Sequence, residues 1–413
     1  MVRAFQRTVY HMTEIPNVIW LLGLGCLINV GGLSLLWPVN SIYIHVGLHK
    51  SMAVAGLVLM VFSGAGLFGS FVGGWLYDRI GAMRILVYSL VISCVSILLP
   101  AMTSDFAVYV VVMAVFGVTC AIPFPVLNAV AGHAWPDGGR RSFNFLYVSN
   151  NIGVAIGTAL GGVLAARSFQ VVFYGIALAY LGLLFLITTA LKKPFSDIRR
   201  SNDESRVKRQ LEHTATVLPW GGIAILFTGY TLAWAIYVQW QSTVSVYMQS
   251  TGYTLSAYSL LWTLNGLLIF LSQPLVSFVT RRFPALSFHM IGGTVLYALS
   301  FTVMLFAHHY FVYVIAMVLT TLGEIFIWPA VPAAVAQIAP PSRLGMLQGL
   351  VGSCATAGRM IGPVVGGVLY DQGALHLVLL IAILSTVFPL VLFSVYHRFT
   401  TPNAGEVRPE PRA

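Results

Sequence analysis

The sequence of 413 residues is 58% hydrophobic and only 8% charged. Water-soluble proteins of this size carry far more charge, so the composition excludes a soluble domain and indicates a chain that lies within a lipid bilayer. A net charge of +10 could suggest a nucleic-acid partner, but the placement of the basic residues argues against one. All 22 lysines and arginines, apart from Lys50, Arg167 and Arg359, fall in segments that we assign to one side of the membrane. The positive-inside rule makes that side, and both termini, cytoplasmic.

Apolar runs of roughly 20 residues recur along the chain, and each is long enough to cross a bilayer as an α-helix. We predict twelve spans, near 17–38, 52–76, 84–102, 106–131, 143–165, 169–191, 218–246, 254–279, 285–307, 310–336, 344–368 and 375–397. The connections are short, except for a polar segment that separates the spans six and six. The predicted organisation is a six-helix bundle at 1–191, a cytoplasmic linker at 192–216, a second six-helix bundle at 217–398 and a cytoplasmic tail at 399–413.

The two bundles repeat one another in sequence, as in transporters built from internal repeats. In both the fifth and the eleventh span, glycine recurs at every fourth position. The shared positions are Gly153, Gly157 and Gly161, and, 205 residues later, Gly358, Gly362 and Gly366. Small residues at this spacing let helices approach closely. They suit two halves that rock against each other, or equally a permanent contact between helices. The repeat favours a central pathway with a binding site near the bilayer midplane.

The connection between the second and third spans, GGWLYDRIGAMR, combines an acid with two bases and a glycine turn. Gly81 can adopt the left-handed conformation that a tight turn after a helix needs. Arg79 and Arg84 are costly in hydrocarbon, so this loop is predicted to close on the cytoplasmic face. Asp78 can join an ion cluster or face the positive N-terminus of a neighbouring helix.

This loop resembles the signature between helices 2 and 3 of the major facilitator superfamily of secondary transporters. Ala82 and Met83 stand where the family pattern has two more bases. The resemblance covers essentially the whole chain, and it implies an all-α integral membrane protein with twelve transmembrane helices in two pseudo-symmetric six-helix bundles. It also implies that Asp78 faces the start of the eleventh span, near 342–345. The residues that would form a conformational latch at this point are Gly74, Asp78, Arg79, Gly81 and Arg84.

A second resemblance is to the drug:proton antiporters of this superfamily, whose fifth helix carries Gly-Pro-x-x-Gly-Gly. Here the eleventh span has the full form at 362–367, whereas the fifth span has Thr158 in the proline position. The arginine that many members carry in helix 4 is also missing, and Met113 stands at about that place. The usual assignment of a proton relay in the first half therefore does not transfer to this chain.

One acidic residue, Glu324, lies near the middle of the tenth span, in the stretch GEIFIWP. A carboxyl group at that depth is expected to keep its proton until water or a cation reaches it, as a proton carrier must. We predict that Glu324 binds the coupling proton. The alternative is a permanently protonated acid that is hydrogen-bonded inside the bundle. The Gly-Glu-x4-Pro arrangement is similar to that of bacterial multidrug antiporters, which favours the first interpretation.

Arg359 lies at a similar depth in the eleventh span, too far from either surface to reach water easily. It must meet a carboxylate, backbone carbonyls or an anionic ligand. Three roles stay open: it pairs with Glu324, it anchors an anionic substrate, or it is purely structural.

Aromatic and amide side chains concentrate in the seventh, eighth and tenth spans, with further amides in the first and fifth. Such a surface suits flat, lipophilic and cationic ligands, although ordinary packing explains many aromatic residues equally well. The predicted cavity residues are Asn29, Asn150, Asn151, Trp234, Tyr237, Gln241, Trp262, Asn265 and Trp328.

The sequence lacks a phosphate-binding loop and the common hydrolase motifs, so we expect neither ATP-driven transport nor enzymatic activity. No spacing of residues in the sequence gives a convincing metal site. We therefore expect no metal and no cofactor, and we predict that H⁺ is the coupling ion. The predicted function is proton-coupled efflux, by antiport, of lipophilic and cationic drug-like compounds across a bacterial cytoplasmic (inner) membrane by a multi-pass monomer. The alternative is a transporter for a small hydrophilic or anionic metabolite held by Arg359. A non-transporting membrane receptor or assembly factor is a third possibility, against which the glycine repeats and deep charges argue.

Overall fold

A computed structural model describes residues 15–36, 40, 43–50, 52–198, 220–307 and 309–400. Within these ranges every regular element is helical. Most of the predicted linker and of the predicted tail, together with the N-terminal residues, lies outside the described residues. Of the linker, residues 192–198 are helical, and Phe195 there is buried against the first bundle.

Among the described residues of the first half, seven α-helices form the six spans. They are α1 Asn17–Ser34, α2 Met52–Ile80, α3 Ala82–Met102, α4 Phe106–Ala121, α5 Pro123–Ala134, α6 Arg140–Ala165 and α7 Phe169–Thr189. The fourth predicted span is divided into α4 and α5 because Pro123 cannot donate a helical hydrogen bond. Gly81 connects α2 to α3 with a φ of 84°, a conformation that favours glycine.

The second half is more strongly broken. Its helices are α8 Trp220–Tyr237, α9 Thr243–Ser250, α10 Leu255–Leu271, α11 Gln273–Arg282, α12 Leu286–Met304, α13 Tyr310–Ile338, α14 Leu344–Ser385 and α15 Val387–Thr400. A short 3₁₀ turn, Val238–Trp240, separates α8 from α9. The eighth predicted span bends by 53° between α10 and α11, just before Pro274.

Ten helical segments of the described chain are long and apolar enough to cross a membrane, or eleven when the bent α10–α11 pair counts as one. The predicted span 344–368 is not among them, since Arg359 and many glycines lower its hydropathy. The predicted twelfth span is confirmed as a membrane span at His376–Tyr396, although no helix boundary separates it from the eleventh, because helical structure is continuous from Leu344 to Ser385.

The chain nevertheless reverses direction within α14, as its contacts with α8 show. From Gly358 to Gly366, α14 runs parallel to α8, passing from Thr231 to Gln239. Further along, Ala382 shares a core cluster with Ile236, and Phe393 of α15 contacts Gly229, so this segment runs antiparallel to α8. The reversal between these two stretches divides α14 into two spans, as the predicted twelve-span arrangement requires.

The glycine repeats pack helices together inside each half. Gly153, Gly157 and Gly161 of α6 lie against α1, where added methyl groups would collide with the backbone near Leu27, Gly31 and Leu35. Gly358, Gly362 and Gly366 of α14 lie in the equivalent way against α8. The sequence repeat is therefore also a repeat of three-dimensional contacts. These glycines contact helices of their own half, and different glycines contact the opposite half.

The two halves meet at one end of the molecule, which we call the arginine-rich end because Arg79, Arg84, Arg140 and Arg281 lie there. Leu344 at the start of α14 belongs to the core of the first half, and Phe143 near the start of α6 belongs to the core of the second. Each half thus inserts the beginning of one helix into the other. Ser70 of α2 adds a hydrogen bond to the carbonyl of Gly349 across the same interface.

Candidate functional site

Glu324 lies on α13 inside the second half, and its side chain is only 3% exposed. Asn265 of α10 donates a hydrogen bond of 2.5 Å to the carboxyl group, and also contacts the Thr321 hydroxyl at 3.0 Å. Tyr237 and Trp328 lie within reach of the same carboxyl group. A buried carboxyl surrounded by neutral polar groups needs no permanent ion pair, and it can hold or release a proton when its surroundings change.

An aromatic wall adjoins Glu324. Trp328, one turn further along α13, stacks on Trp234 of α8 with ring centroids 4.1 Å apart and an angle of 5° between the planes. Tyr237 meets both indole rings edge-on, each at 5.5 Å. Pairs of this kind add stability beyond that of simple burial and form a flat, rigid surface. Tyr237 and Trp328 are each only 5% exposed, so a planar apolar ligand would have to separate the indole pair in order to stack on this wall.

Arg359 occupies the opposite side of this wall. Its guanidinium lies over the Trp234 ring, 4.7 Å from the centroid, and the side chain is exposed to the space around the cluster. No salt bridge joins it to Glu324 in the described part of the chain. The stacked pair Trp234–Trp328 lies between the two side chains instead. An exposed guanidinium on an aromatic face is available to an anionic group.

The predicted cavity residues fall into two groups. Those that the structure brings together around Glu324 are Trp234, Tyr237, Trp262, Asn265 and Trp328. The amides of the first half and Gln241 have other surroundings. Asn29 is buried in α1, Asn151 donates to the Tyr147 carbonyl, and Gln241 is exposed beyond the 3₁₀ turn. The side-chain oxygens of Asn29 and Asn150 have no hydrogen-bond partner among the described residues.

Sequence reasoning missed several members of the cluster. Thr321, one turn before Glu324 on α13, completes the Asn265 contact. Tyr230 and Tyr297 contact Trp328 from α8 and α12. Tyr147 of α6 brings the first half close to Glu324. Thr321 and Tyr230 lie one helical turn before the predicted residues Glu324 and Trp234, so their spacing could have identified them. Nothing in the local sequence distinguishes Tyr147 or Tyr297.

The predicted latch residues lie at the arginine-rich end. The Asp78 carboxylate accepts hydrogen bonds from the backbone N–H groups of Gly345 (2.9 Å) and Met346 (2.8 Å), at the first turn of α14. It thus faces the positive end of that helix, as the resemblance implied. Arg79 stacks on Trp75, with 3.9 Å between the guanidinium carbon and the ring centroid, and Arg84 is exposed. Gly74 packs directly against Gly345.

Asp78→Asn is expected to weaken closure of the arginine-rich end by about 1 kcal/mol, because a neutral amide replaces a charged acceptor at the helix terminus. A suitable reporter is Ser70→Cys, buried at the interface between the halves, in a chain without its native cysteines. An impermeant thiol reagent added at this face should label it roughly fivefold faster in the Asp78→Asn variant. Equal labelling rates would contradict a latch role for Asp78. Asp105→Asn, which changes a cap of α4, is the control.

Comparison with known proteins agrees with this fold. The sequence matches the model of the Major Facilitator Superfamily over residues 22–288 and 241–413. It is 41% identical to an uncharacterised MFS-type transporter, YttB, of Bacillus subtilis (strain 168), over 92% of this chain and 95% of that protein. It is 23% identical to the quinolone resistance protein NorA of Staphylococcus aureus, over 89% of this chain and 94% of NorA.

Solved structures of similar fold share little sequence with it. The human organic anion transporter MFSD10 superposes with a TM-score of 0.73 at 16% identity, over 91% of this chain and 98% of that one. A bacterial homologue of ferroportin in an outward-facing state superposes with a TM-score of 0.71 at 13% identity, over 92% and 99%. From the family match, the close relative and the shared architecture, this chain is a multi-pass membrane transporter that belongs to the major facilitator superfamily.

Proposed function

We propose that this transporter exports lipophilic aromatic compounds across a bacterial cytoplasmic membrane in exchange for protons. The observation that carries the proposal is the enclosure of the Glu324 carboxyl group by the aromatic wall of Trp234, Tyr237 and Trp328. A planar ligand that separates the indole pair would stack on these rings, and the acid beside them can bind a proton when that ligand leaves. The distant relative NorA, named for quinolone resistance, supports export of aromatic drugs.

In this mechanism the two halves alternate around Glu324. A substrate enters from the cytoplasm and stacks on the aromatic wall while Glu324 is ionised. Closure at the arginine-rich end, held by Asp78 at the start of α14, encloses the site. A proton arriving from outside neutralises Glu324, releases the substrate to that side, and leaves for the cytoplasm once the arginine-rich end opens again.

The test uses inverted membrane vesicles loaded with a proton gradient. Addition of a fluorescent lipophilic dye should lower the gradient and concentrate the dye inside vesicles that contain the wild-type chain. Vesicles without the protein should do neither. If dye moves without any change in the gradient, the transporter is not proton-coupled. If neither neutral, cationic nor anionic aromatic compounds move, export of aromatic compounds is the wrong function.

A second candidate function, transport of organic anions, is favoured by one observation. Arg359 is exposed beside Trp234, while Glu324 is buried and already hydrogen-bonded to Asn265. The charge that the cluster presents to a ligand is therefore positive. An aromatic acid could place its ring on the wall and its carboxylate on the guanidinium.

Arg359→Gln separates the two candidates. For an aromatic acid, loss of a charge-assisted hydrogen bond should reduce uptake into inverted vesicles by about tenfold at low substrate concentration. For a lipophilic cation, uptake should stay within about twofold of wild type, since no attraction is lost. Arg359→Lys, which keeps the charge, should recover part of the acid transport. A tenfold loss for the cation as well would show that Arg359 has a structural role and anchors no anion.

A further inference from the structure

Arg140, at the first turn of α6, extends from the first half into the second. Its side chain is only 6% exposed. Nη1 donates to the Thr280 hydroxyl of α11 at 2.8 Å, and Nη2 donates to the Ile325 carbonyl of α13 at 2.9 Å. The guanidinium also lies 5.9 Å from the Phe326 ring centroid. All three contacts are with the opposite half of the molecule.

The Ile325 carbonyl is available because of a proline. In a regular helix this oxygen would accept a hydrogen bond from the backbone N–H of residue 329, but Pro329 has none. A buried carbonyl without a partner is costly. Arg140 supplies the missing donor, at the residue that directly follows Glu324. The break in α13 and the arginine of α6 are therefore two parts of one contact.

The Arg140 contact contains no ion pair among the described residues, which allows it to form and break. The acceptors of Arg140 are a hydroxyl and a carbonyl, both uncharged, and its Nε has no partner among the described residues. Burying a guanidinium without a counter-ion is unfavourable, and the hydrogen bonds offset that penalty only while the halves are together. When the halves separate, water solvates the arginine and the Ile325 carbonyl alike. The contact can therefore form and break as the halves move, as a switch requires.

The position of this contact mirrors the Asp78 latch. Arg140 precedes Gly345 by 205 residues, the offset of the glycine repeats, and Thr280 precedes an arginine as Asp78 does. On one side of the interface, Asp78 of the first half accepts from the start of α14. On the other side, Arg140 at the start of α6 donates to Thr280 of the second half. Only the second contact also reaches the helix that carries Glu324.

We propose that Arg140 is a positioning residue that couples closure of the arginine-rich end to the α13 segment carrying Glu324. In the closed state it completes the broken helix at Ile325 and keeps Glu324 directed at Asn265. In the open state it withdraws, and the segment around Pro329 is free to bend. The coupling acts on gating, so it holds whatever the substrate is.

The experiment combines Arg140→Gln with Pro329→Ala, in the chain that carries the Ser70→Cys reporter. Arg140→Gln should raise the labelling rate by an impermeant maleimide, added to inverted vesicles, by about tenfold, since hydrogen bonds from a charged donor are lost. Pro329→Ala restores a donor for the Ile325 carbonyl. The effect of Arg140→Gln should then shrink to about threefold or less, a non-additivity that reveals direct coupling. Lys193→Gln, at an exposed basic residue of the first half, is the control.

Two results would overturn the proposal. Labelling of Arg140→Gln at the wild-type rate would show that the residue does not hold the closed state. Equal effects of Arg140→Gln with and without Pro329→Ala would show that the Ile325 carbonyl is not the coupling contact. If Arg140→Gln does not fold, Thr280→Val removes only the hydroxyl acceptor and should raise labelling by a smaller factor. Arg140→Lys should restore part of the closure in a folded chain.

Discussion

Glu324→Gln is expected to abolish proton-driven flux in inverted vesicles, leaving the dye signal at the level of vesicles without the protein. Glutamine has the same shape and keeps an oxygen for the Asn265 hydrogen bond, so the buried contacts of α13 survive. What is lost is the ability to gain and release a proton. The variant should therefore still bind the dye, which fluorescence quenching of the adjacent tryptophans can measure.

The control for this variant is Asp105→Asn, which makes the same chemical change at an exposed cap of α4. It should transport at the wild-type rate. Proton-driven flux in Glu324→Gln equal to wild type, at equal expression, would assign Glu324 a structural role. A loss of dye binding together with flux would instead point to a disrupted site, and Glu324→Asp would then separate charge from shape.

The second large effect is expected at Gly74, where the two halves come closest. A methyl group added there would collide with the carbonyl of Gly345 and crowd Gly349, both in the opposite half. The three atoms nearest to such a methyl group all belong to the opposite half, so Gly74→Ala should fold but fail to close. A backbone collision of this kind destabilises the closed state by about 3 kcal/mol, and so leaves roughly 100-fold fewer closed molecules.

Two other glycines of α2 make this a controlled series. Gly64 has open space around it, so Gly64→Ala should change neither folding nor transport. Gly69 lies against the backbone of Val118 in its own half, so Gly69→Ala should lower thermal stability instead. Labelling of the Ser70→Cys reporter and melting temperature in detergent distinguish the three outcomes. A stable, fully active Gly74→Ala chain would refute a tight closed state at this point.

The sequence predicts the fold well because its strongest signals are local. Apolar runs set the spans, and glycines at fourth positions set the helix pairs α1–α6 and α8–α14. The depth of Glu324 within an apolar run identified it as a residue of interest before any contact was known. Helix breaks were less accessible. The bend near Pro274 and the continuous α14 depend on tertiary packing, which hydropathy does not measure.

The candidate site was only partly predictable for a related reason. Tryptophan is a rare residue, and Trp234 and Trp328 lie in helices that carry other candidate site residues. The sequence alone was therefore enough to predict them. In the sequence, Arg140 is only one of the basic residues that we assign to the cytoplasmic side. Its contact with Ile325 spans 185 positions, and its meaning depends on the N–H that Pro329 lacks. A short stretch of sequence cannot contain both Arg140 and the Ile325–Pro329 segment, so local patterns do not predict this contact.

The unequal distribution of charge between the two halves has an evolutionary consequence. Glu324 and Arg359 both belong to the second half, whereas the first half contributes the neutral side chain of Tyr147 near Glu324. In the proposed mechanism, substitutions at Tyr147 change which molecules fit beside Glu324, whereas the proton-binding carboxyl group stays in place. If the protein exports aromatic compounds as proposed, its range of substrates can therefore change in evolution by single substitutions beside Glu324, with the acid itself retained.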